Sequence, residues 1–160
     1  MLNVTIICLG KLKEKYLRDA CDEYIKRLSA FCRLNMVELT PEKLSDNPSD
    51  KEIENALTVE AKKITEKSPK GSYIYSLCIE GKQISSEELS AEIENVGVAG
   101  TSSIVFIIGS SFGLSAGIKQ MSNKKLSMSK MTFPHQIARI MLLEQLYRAS
   151  QISMGTRYHK

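Results

Sequence analysis

The sequence predicts a single α/β domain, a mainly parallel sheet with helices on both faces. Three observations predict it. Segments of strand and helix periodicity alternate along the chain. One continuous apolar run, Ile104-Val105-Phe106-Ile107-Ile108, reads as a central strand covered on both sides. The length of 160 residues suits one core rather than two.

The elements follow in order. Val4, Ile6 and Cys8 alternate with Thr5 and Ile7 before Gly10, which predicts a first strand ending in a turn. Leu17, Ala20, Tyr24, Ile25 and Leu28 recur at three- and four-residue spacing, so 13–30 reads as an amphipathic helix. A strand is expected at 33–39. The stretch 40–50, with two prolines, an asparagine and several charges, suits a surface loop or lid. Ile53, Ala56, Leu57, Ala61 and Ile64 then line one helical face, and Pro69-Lys70-Gly71 ends it. A third strand is expected at 73–79. Ser85 and Glu88 have the spacing of a capping box, opening a helix through Leu89, Ile93 and Val96 that Gly97 and Gly100 break. After the apolar strand come a short helix beyond Leu114, a further strand at 126–131, and a long helix from His135 to about Ile152 with Pro134 in its first turn. Apolar residues wrap most of that last helix, more than one side of a monomer needs, which points to a dimer interface or to deep burial.

Composition narrows the function classes. With 42% hydrophobic and 25% charged residues the chain is ordinarily globular, which excludes disordered and fibrous classes. Cys8, Cys21, Cys32 and Cys78 stand far apart with no CxxC pair and no nearby histidine, so no metal site is expected. No signal-peptide pattern opens the chain, and reduced thiols in a cytoplasm are expected. No run approaches the roughly 20 apolar residues of a membrane span, so no membrane crossing is expected. The net charge of +4 is modest, but it is uneven: residues 109–160 hold eight Lys or Arg against Glu144 alone. That excess favours an anionic partner at the C-terminal end, or a merely solvated basic face.

Gly109-Ser110-Ser111-Phe112-Gly113, directly after the buried strand, is the conspicuous local pattern. It reads as a plain turn or as a loop that lets a cofactor approach the backbone closely. It lacks the GK[ST] of a P-loop and the GxGxxG of a dinucleotide fold. It also satisfies GxSxG, with Ser111 as nucleophile and Glu144 and His159 following, although no oxyanion motif accompanies it. His135 follows Pro134 at a helix start, where a structural role or a hydrogen bond to a ligand oxygen fits. The Tyr158-His159-Lys160 tail is either frayed or joins a stacking ring, an imidazole and a phosphate-seeking cation.

Phe133-Pro134-His135-Gln136-Ile137-Ala138-Arg139, Glu144-Gln145-Leu146-Tyr147-Arg148-Ala149 and Tyr158-His159-Lys160, with Gly10 to Tyr16, Asp50 to Ile53 and Gly81-Lys82, resemble the RlmH family of ribosomal RNA methyltransferases within the SPOUT superfamily. The resemblance runs the length of the chain. It implies a homodimer with a C-terminal trefoil knot, the knotted cofactor-binding part being about 72–160, and S-adenosyl-L-methionine as cofactor, with no metal. Leu77, Gly109 and the segment Met128, Ser129, Lys130, Met131, Thr132 and Phe133 match the family's cofactor-binding points. Ser110 stands where members commonly have a second glycine. The implied reaction is methylation at N3 of a pseudouridine in a 23S rRNA stem-loop at the subunit interface of the ribosome. On this resemblance His159 assists deprotonation, Tyr158 positions the base, and Arg139, Arg148, Arg157 and Lys160 engage RNA. Arg139 and Arg148 could instead pair with a carboxylate such as Glu144. A non-catalytic RNA-binding dimer is the reading from a different class.

Overall fold

Strand β1 (Leu2–Leu9) forms where Val4, Ile6 and Cys8 alternate with Thr5 and Ile7, and it is buried on both faces from Val4 onward. The computed structural model describes residues 1–160. After β1 come α1 (Lys15–Leu28), β2 (Cys32–Leu39), α2 (Asp50–Lys67), β3 (Tyr73–Lys82), α3 (Ser86–Val98), β4 (Ser103–Ile108), α4 (Ala116–Met121), β5 (Lys124–Leu126) and α5 (His135–Ser153). The five strands make one sheet in the order β2-β1-β4-β3-β5. Every neighbouring pair is parallel.

The apolar run lies at the centre, as its lack of polar residues requires. Val4 pairs with Leu34 on one side and Ile104 on the other, while Phe106 pairs with Ile6 and Tyr75. Period-two alternation splits the core in two. On one face Ile6, Cys8, Ile104, Phe106 and Tyr75 pack with Leu17 and Cys21 of α1, Val96 of α3 and Leu142, Leu143 and Leu146 of α5. On the other, Ile7, Leu9, Val105 and Ile107 pack with Ile64 of α2 and Ile118 of α4. Burial of α5 between α1 and α3 absorbs much of the apolar surplus seen in its sequence.

Local chemistry sets the helix starts. The Ser85 capping box forms, with the Ser85 hydroxyl accepting from the Glu88 N–H and the Glu88 carboxylate accepting from the Ser85 N–H. Ser49 and Glu52 make a second such box that opens α2. Pro134 is a correction. With φ −56° and ψ 146° it is the residue before the helix rather than in its first turn, and α5 begins at His135.

The strand expected at 126–131 is a second correction. Only Lys124–Leu126 pair, and 127–134 form a loop held by the Ser127 hydroxyl donating to the Ser129 carbonyl and the Met131 N–H donating to the Ser129 hydroxyl, both at 3.0 Å. Alternation of serine with methionine and lysine mimicked a strand. Meanwhile β3 runs on to Lys82 and bulges, so that Leu126 is in register with both Leu77 and Lys82. Gly81 is needed there, because a Cβ would lie 2.7 Å from the backbone of Lys125 and Leu126.

Parallel strands put all their carboxyl ends on one edge. Loops 10–14, 40–49, 109–115 and 127–134 therefore emerge together, and α5 starts among them.

Candidate active site

A cleft of about 870 Å³ opens at that edge. Leu77, Gly109, Met128, Ser129, Met131, Thr132 and Phe133 all line it. Lys130, predicted with them, is exposed and does not. Gly109 is required by close approach: a Cβ would meet the Gly113 carbonyl oxygen at 2.5 Å. Gly113 itself has φ +80°, which favours glycine.

The lining suits a flat ring, and its two charged side chains, Glu80 and Lys119, pair with each other. Leu77, Ile108, Leu114, Met128 and Phe133 supply apolar walls. The Glu80 carboxylate receives a hydrogen bond from Lys119 at 2.5 Å, which holds its pKa below the ordinary value. Cys78 also lines the cleft, and burial pushes its thiol pKa up, leaving it protonated and inert.

The wall formed by the start of α5 is pinned from beneath. Arg139, 3% exposed, donates to Glu38 Oε2 at 2.6 Å and to the Gly10 carbonyl at 3.0 Å. This corrects its placement among RNA-contacting residues: the guanidinium is spent inside the fold, on Glu38 of β2 rather than on Glu144. Burial raises the neighbouring Cys8 thiol to about 11, against the lowering effect of Arg139. One turn earlier, His135 lies on Gly10 so closely that a Cβ there would meet its Cε1 at 2.6 Å. Its Nδ1 is buried with no partner. Desolvation, then the nearby Arg139 charge, lowers its pKa and favours neutral imidazole.

A smaller recess of about 250 Å³ adjoins the cleft across Ser110, Ser111, Phe112 and His135. Glu60 of α2, 4% exposed, stands in it. Its Oε1 accepts from the Ser110 hydroxyl at 3.1 Å and its Oε2 from the Glu42 N–H at 2.9 Å. Ser110 thus ties the cleft loop to α2. Ser111 has no histidine hydrogen-bond partner, and His159 and Glu144 are engaged elsewhere, so no Ser111 triad assembles.

The tail is ordered against α5, away from this chain's own cleft. Tyr158 packs edge-on to Tyr147 with ring centroids 4.9 Å apart, under the Arg148 guanidinium, and donates to Glu144 at 3.0 Å. Burial, then that carboxylate, raises its phenol pKa. Arg148 makes the alternative contact foreseen for it, donating to Glu144 at 2.8 Å, and also donates to His159 Nδ1 at 3.2 Å. His159 Nε2 donates to Glu87 of α3 at 2.6 Å. A guanidinium only donates and a carboxylate only accepts, so the tautomer protonated at Nε2 satisfies both. Arg157 and Lys160 are exposed.

Sequence reasoning missed Glu38 and Glu60. A charged residue on a strand edge or an amphipathic helix reads as solvated, and only tertiary partners reveal otherwise. Phe133-Pro134-His135 did carry a signal for His135, a side chain at a helix start that no acidic residue caps.

No group of three or more His, Cys, Asp or Glu is placed to hold a metal ion. No helix is long and apolar enough to cross a membrane.

The family described as predicted SPOUT methyltransferase matches residues 2–159. Ribosomal RNA large subunit methyltransferase H of Clostridium botulinum (strain Alaska E43 / Type E3) is 54% identical over 159 residues, covering 99% of this chain and 100% of that protein. The protein of the same name from Clostridium acetobutylicum is 52% identical over the same shares. Among solved structures, a probable methylase family protein from Haemophilus influenzae Rd KW20 superposes with a TM-score of 0.56 at 12% identity, covering 99% of this chain and 71% of that one. That likeness concerns the fold alone. With a match from the second residue to the last but one, the chain belongs to the SPOUT methyltransferase family.

Proposed function

We propose that this chain is an S-adenosylmethionine-dependent methyltransferase acting at N3 of a pseudouridine in a 23S rRNA stem-loop at the ribosomal subunit interface, and that it works as a homodimer. One observation carries the reading: an apolar-walled cleft at the carboxyl edge of the sheet, in a chain 54% identical to a protein named as a ribosomal RNA large subunit methyltransferase. S-adenosylmethionine supplies an electrophilic methyl group on a cationic sulfonium. Leu77, Gly109, Met128, Ser129, Met131, Thr132 and Phe133 would hold it. Lys130 is better suited, from its exposure, to RNA phosphate.

In the reaction the acceptor N3 loses its proton, an N–C bond forms as the C–S bond breaks, and S-adenosylhomocysteine leaves. Opposite charges are consumed, so exclusion of water by the apolar walls favours the step. Alignment of nitrogen and methyl supplies much of the rate.

Dimerisation has two supports. Ile79, Phe112, Met131 and Phe133 are exposed apolar residues at the cleft, and Ile137 of α5 is exposed as well. The tail contacts Glu144, nine residues or about 13 Å along α5 from His135. Tyr158 and His159 therefore serve the cleft of the partner, Tyr158 positioning the base and His159 accepting the N3 proton once its Nδ1 is released from Arg148, with Arg148, thus freed, Arg157 and Lys160 toward RNA. The knotted path through about 72–160 rests on membership of the family.

Incubating the purified protein with labelled S-adenosylmethionine and either free 50S subunits or 70S ribosomes from a strain lacking the activity tests the proposal. Label in 23S rRNA as N3-methylpseudouridine is expected. Absence of cofactor binding by calorimetry would sink it.

A further inference from the structure

We infer that Glu60 is a positioning residue for the cofactor, the one group through which the 40–49 loop and the 109–113 turn are set together, and this rests on the methyl-transfer reading above. Glu60 is out of keeping with its place. It lies on the inward side of α2, one turn from Ala56 and one from Ile64, and is 4% exposed. No cation pairs with it, since Lys63 of the same helix pairs with Glu42 instead. A carboxylate taken out of water without a cation is costly, and an apolar side chain would suit the helix better.

Its hydrogen bonds leave α2 in two directions. Oε1 accepts from the Ser110 hydroxyl at 3.1 Å, and the Ser110 carbonyl accepts from the Gly113 N–H at 2.8 Å, so the turn closes on a residue that α2 holds. Gly109, Ser110 and Phe112 of that turn all line the cleft. Oε2 accepts from the Glu42 N–H at 2.9 Å, and Lys63 holds the Glu42 carboxylate from the next turn of the helix, also at 2.9 Å. No residue of 40–49 lines the cleft. The loop nevertheless shares a planar carboxylate with the turn that does, and a shift of either partner turns the other. Seating of the loop is thereby coupled to cofactor affinity.

A plain structural tether is the competing account. It predicts that loss of Glu60 lowers stability and leaves the affinity of the folded protein as it was.

Four variants separate the two. Ser110→Ala removes one hydroxyl, Glu60→Leu removes both acceptors, and Lys63→Met releases the loop from outside. Glu60→Gln is the conservative variant, because its carbonyl can accept from the Glu42 N–H while its amide donates to the Ser110 hydroxyl. Dissociation constants for S-adenosylmethionine are measured by calorimetry, and cofactor KM and kcat by methyl incorporation into 70S ribosomes. Ser110→Ala and Glu60→Leu should each weaken cofactor binding roughly tenfold, the scale of one hydrogen bond to a charged group, with KM raised more than kcat is lowered. Combining the two should add little, and Glu60→Gln should recover most of what Glu60→Leu loses. Lys63→Met should weaken binding about threefold, the scale of a half-exposed ion pair, and do nothing further in the Glu60→Leu background. Losses that simply add, a Glu60→Gln variant no better than Glu60→Leu, or wild-type affinity in Lys63→Met would each overturn the inference. Should Glu60→Leu fail to fold, Ser110→Ala and Lys63→Met decide between themselves: coupled effects support the inference and independent ones overturn it. Wild-type protein that binds no cofactor overturns the methyl-transfer reading itself, a separate outcome.

Discussion

Gly109 has almost no freedom to change. A methyl group there meets the Gly113 carbonyl at 2.5 Å, so Gly109→Ala forces the 109–113 turn apart. Overpacking of this kind costs about 1–3 kcal/mol, and the moved turn is a cleft wall. Calorimetry should show cofactor affinity lost in excess of the stability change. Arg139 is the second rigid point, since its guanidinium joins α5 to Glu38 and the Gly10 carbonyl. Arg139→Met should destabilise by about 3 kcal/mol, the lower end for breaking a buried pair because Glu38 is partly exposed. Denaturant unfolding reads this directly. His135 gives a pH dependence. Burial and Arg139 depress its pKa below the ordinary 6.5, so the folded state binds its proton less well than the unfolded chain. Its contribution is fully present above about 6.5 and is lost as pH falls through the depressed value. Stability of the wild type should therefore decline more steeply between neutral and acid pH than that of His135→Asn. Parallel slopes would deny the burial.

At the scale of elements, the two capping boxes carry measurable stability. Ser85→Ala and Ser49→Ala should each cost about 1 kcal/mol, seen as a lower denaturation midpoint with an unchanged slope. Much at this scale was legible beforehand. The Ile104–Ile108 run, rich in β-branched residues and stopped by Gly109, reads as a doubly covered strand, and the i, i+3, i+4 spacing of Leu17, Ala20, Tyr24 and Leu28 marks the inward side of α1. The Ser127–Phe133 segment was not legible, because serine alternating with methionine and lysine has the same period as a strand. Strand order was equally hidden. Pattern shows that β1 and β4 are both buried on two faces, but only their pairing, Val4 with Ile104, shows that they are neighbours. The cleft residues were found by resemblance, since Leu77 or Met128 alone carries no chemical signature. Glu60 and the small recess needed the packing of α2 against loops distant in sequence.

At the scale of the whole molecule, the ordered tail sets the strongest test of assembly. Gly109→Val should disable a cleft and His159→Ala a tail, each leaving a homodimer inactive. Equal mixing with subunit exchange should restore roughly a quarter of the wild-type rate, because half the dimers are mixed and each has one intact pair. A mixture that stays inactive would place the tail on its own cleft. The sheet order has a consequence for synthesis as well. β1 needs β4 on its inner edge, yet Val4 and Ile104 are about 100 residues apart in a chain that emerges at roughly 5–20 residues per second. For some seconds β1 and β2 can pair while an apolar edge, Val4 to Cys8, awaits its partner. During that interval the nascent chain presents an unfinished strand edge, a ready template for pairing with another chain. A holding chaperone would shelter it until Ile108 is out and slower synthesis would prolong the exposure, so the yield of this protein should depend on the pace of its translation through residue 108.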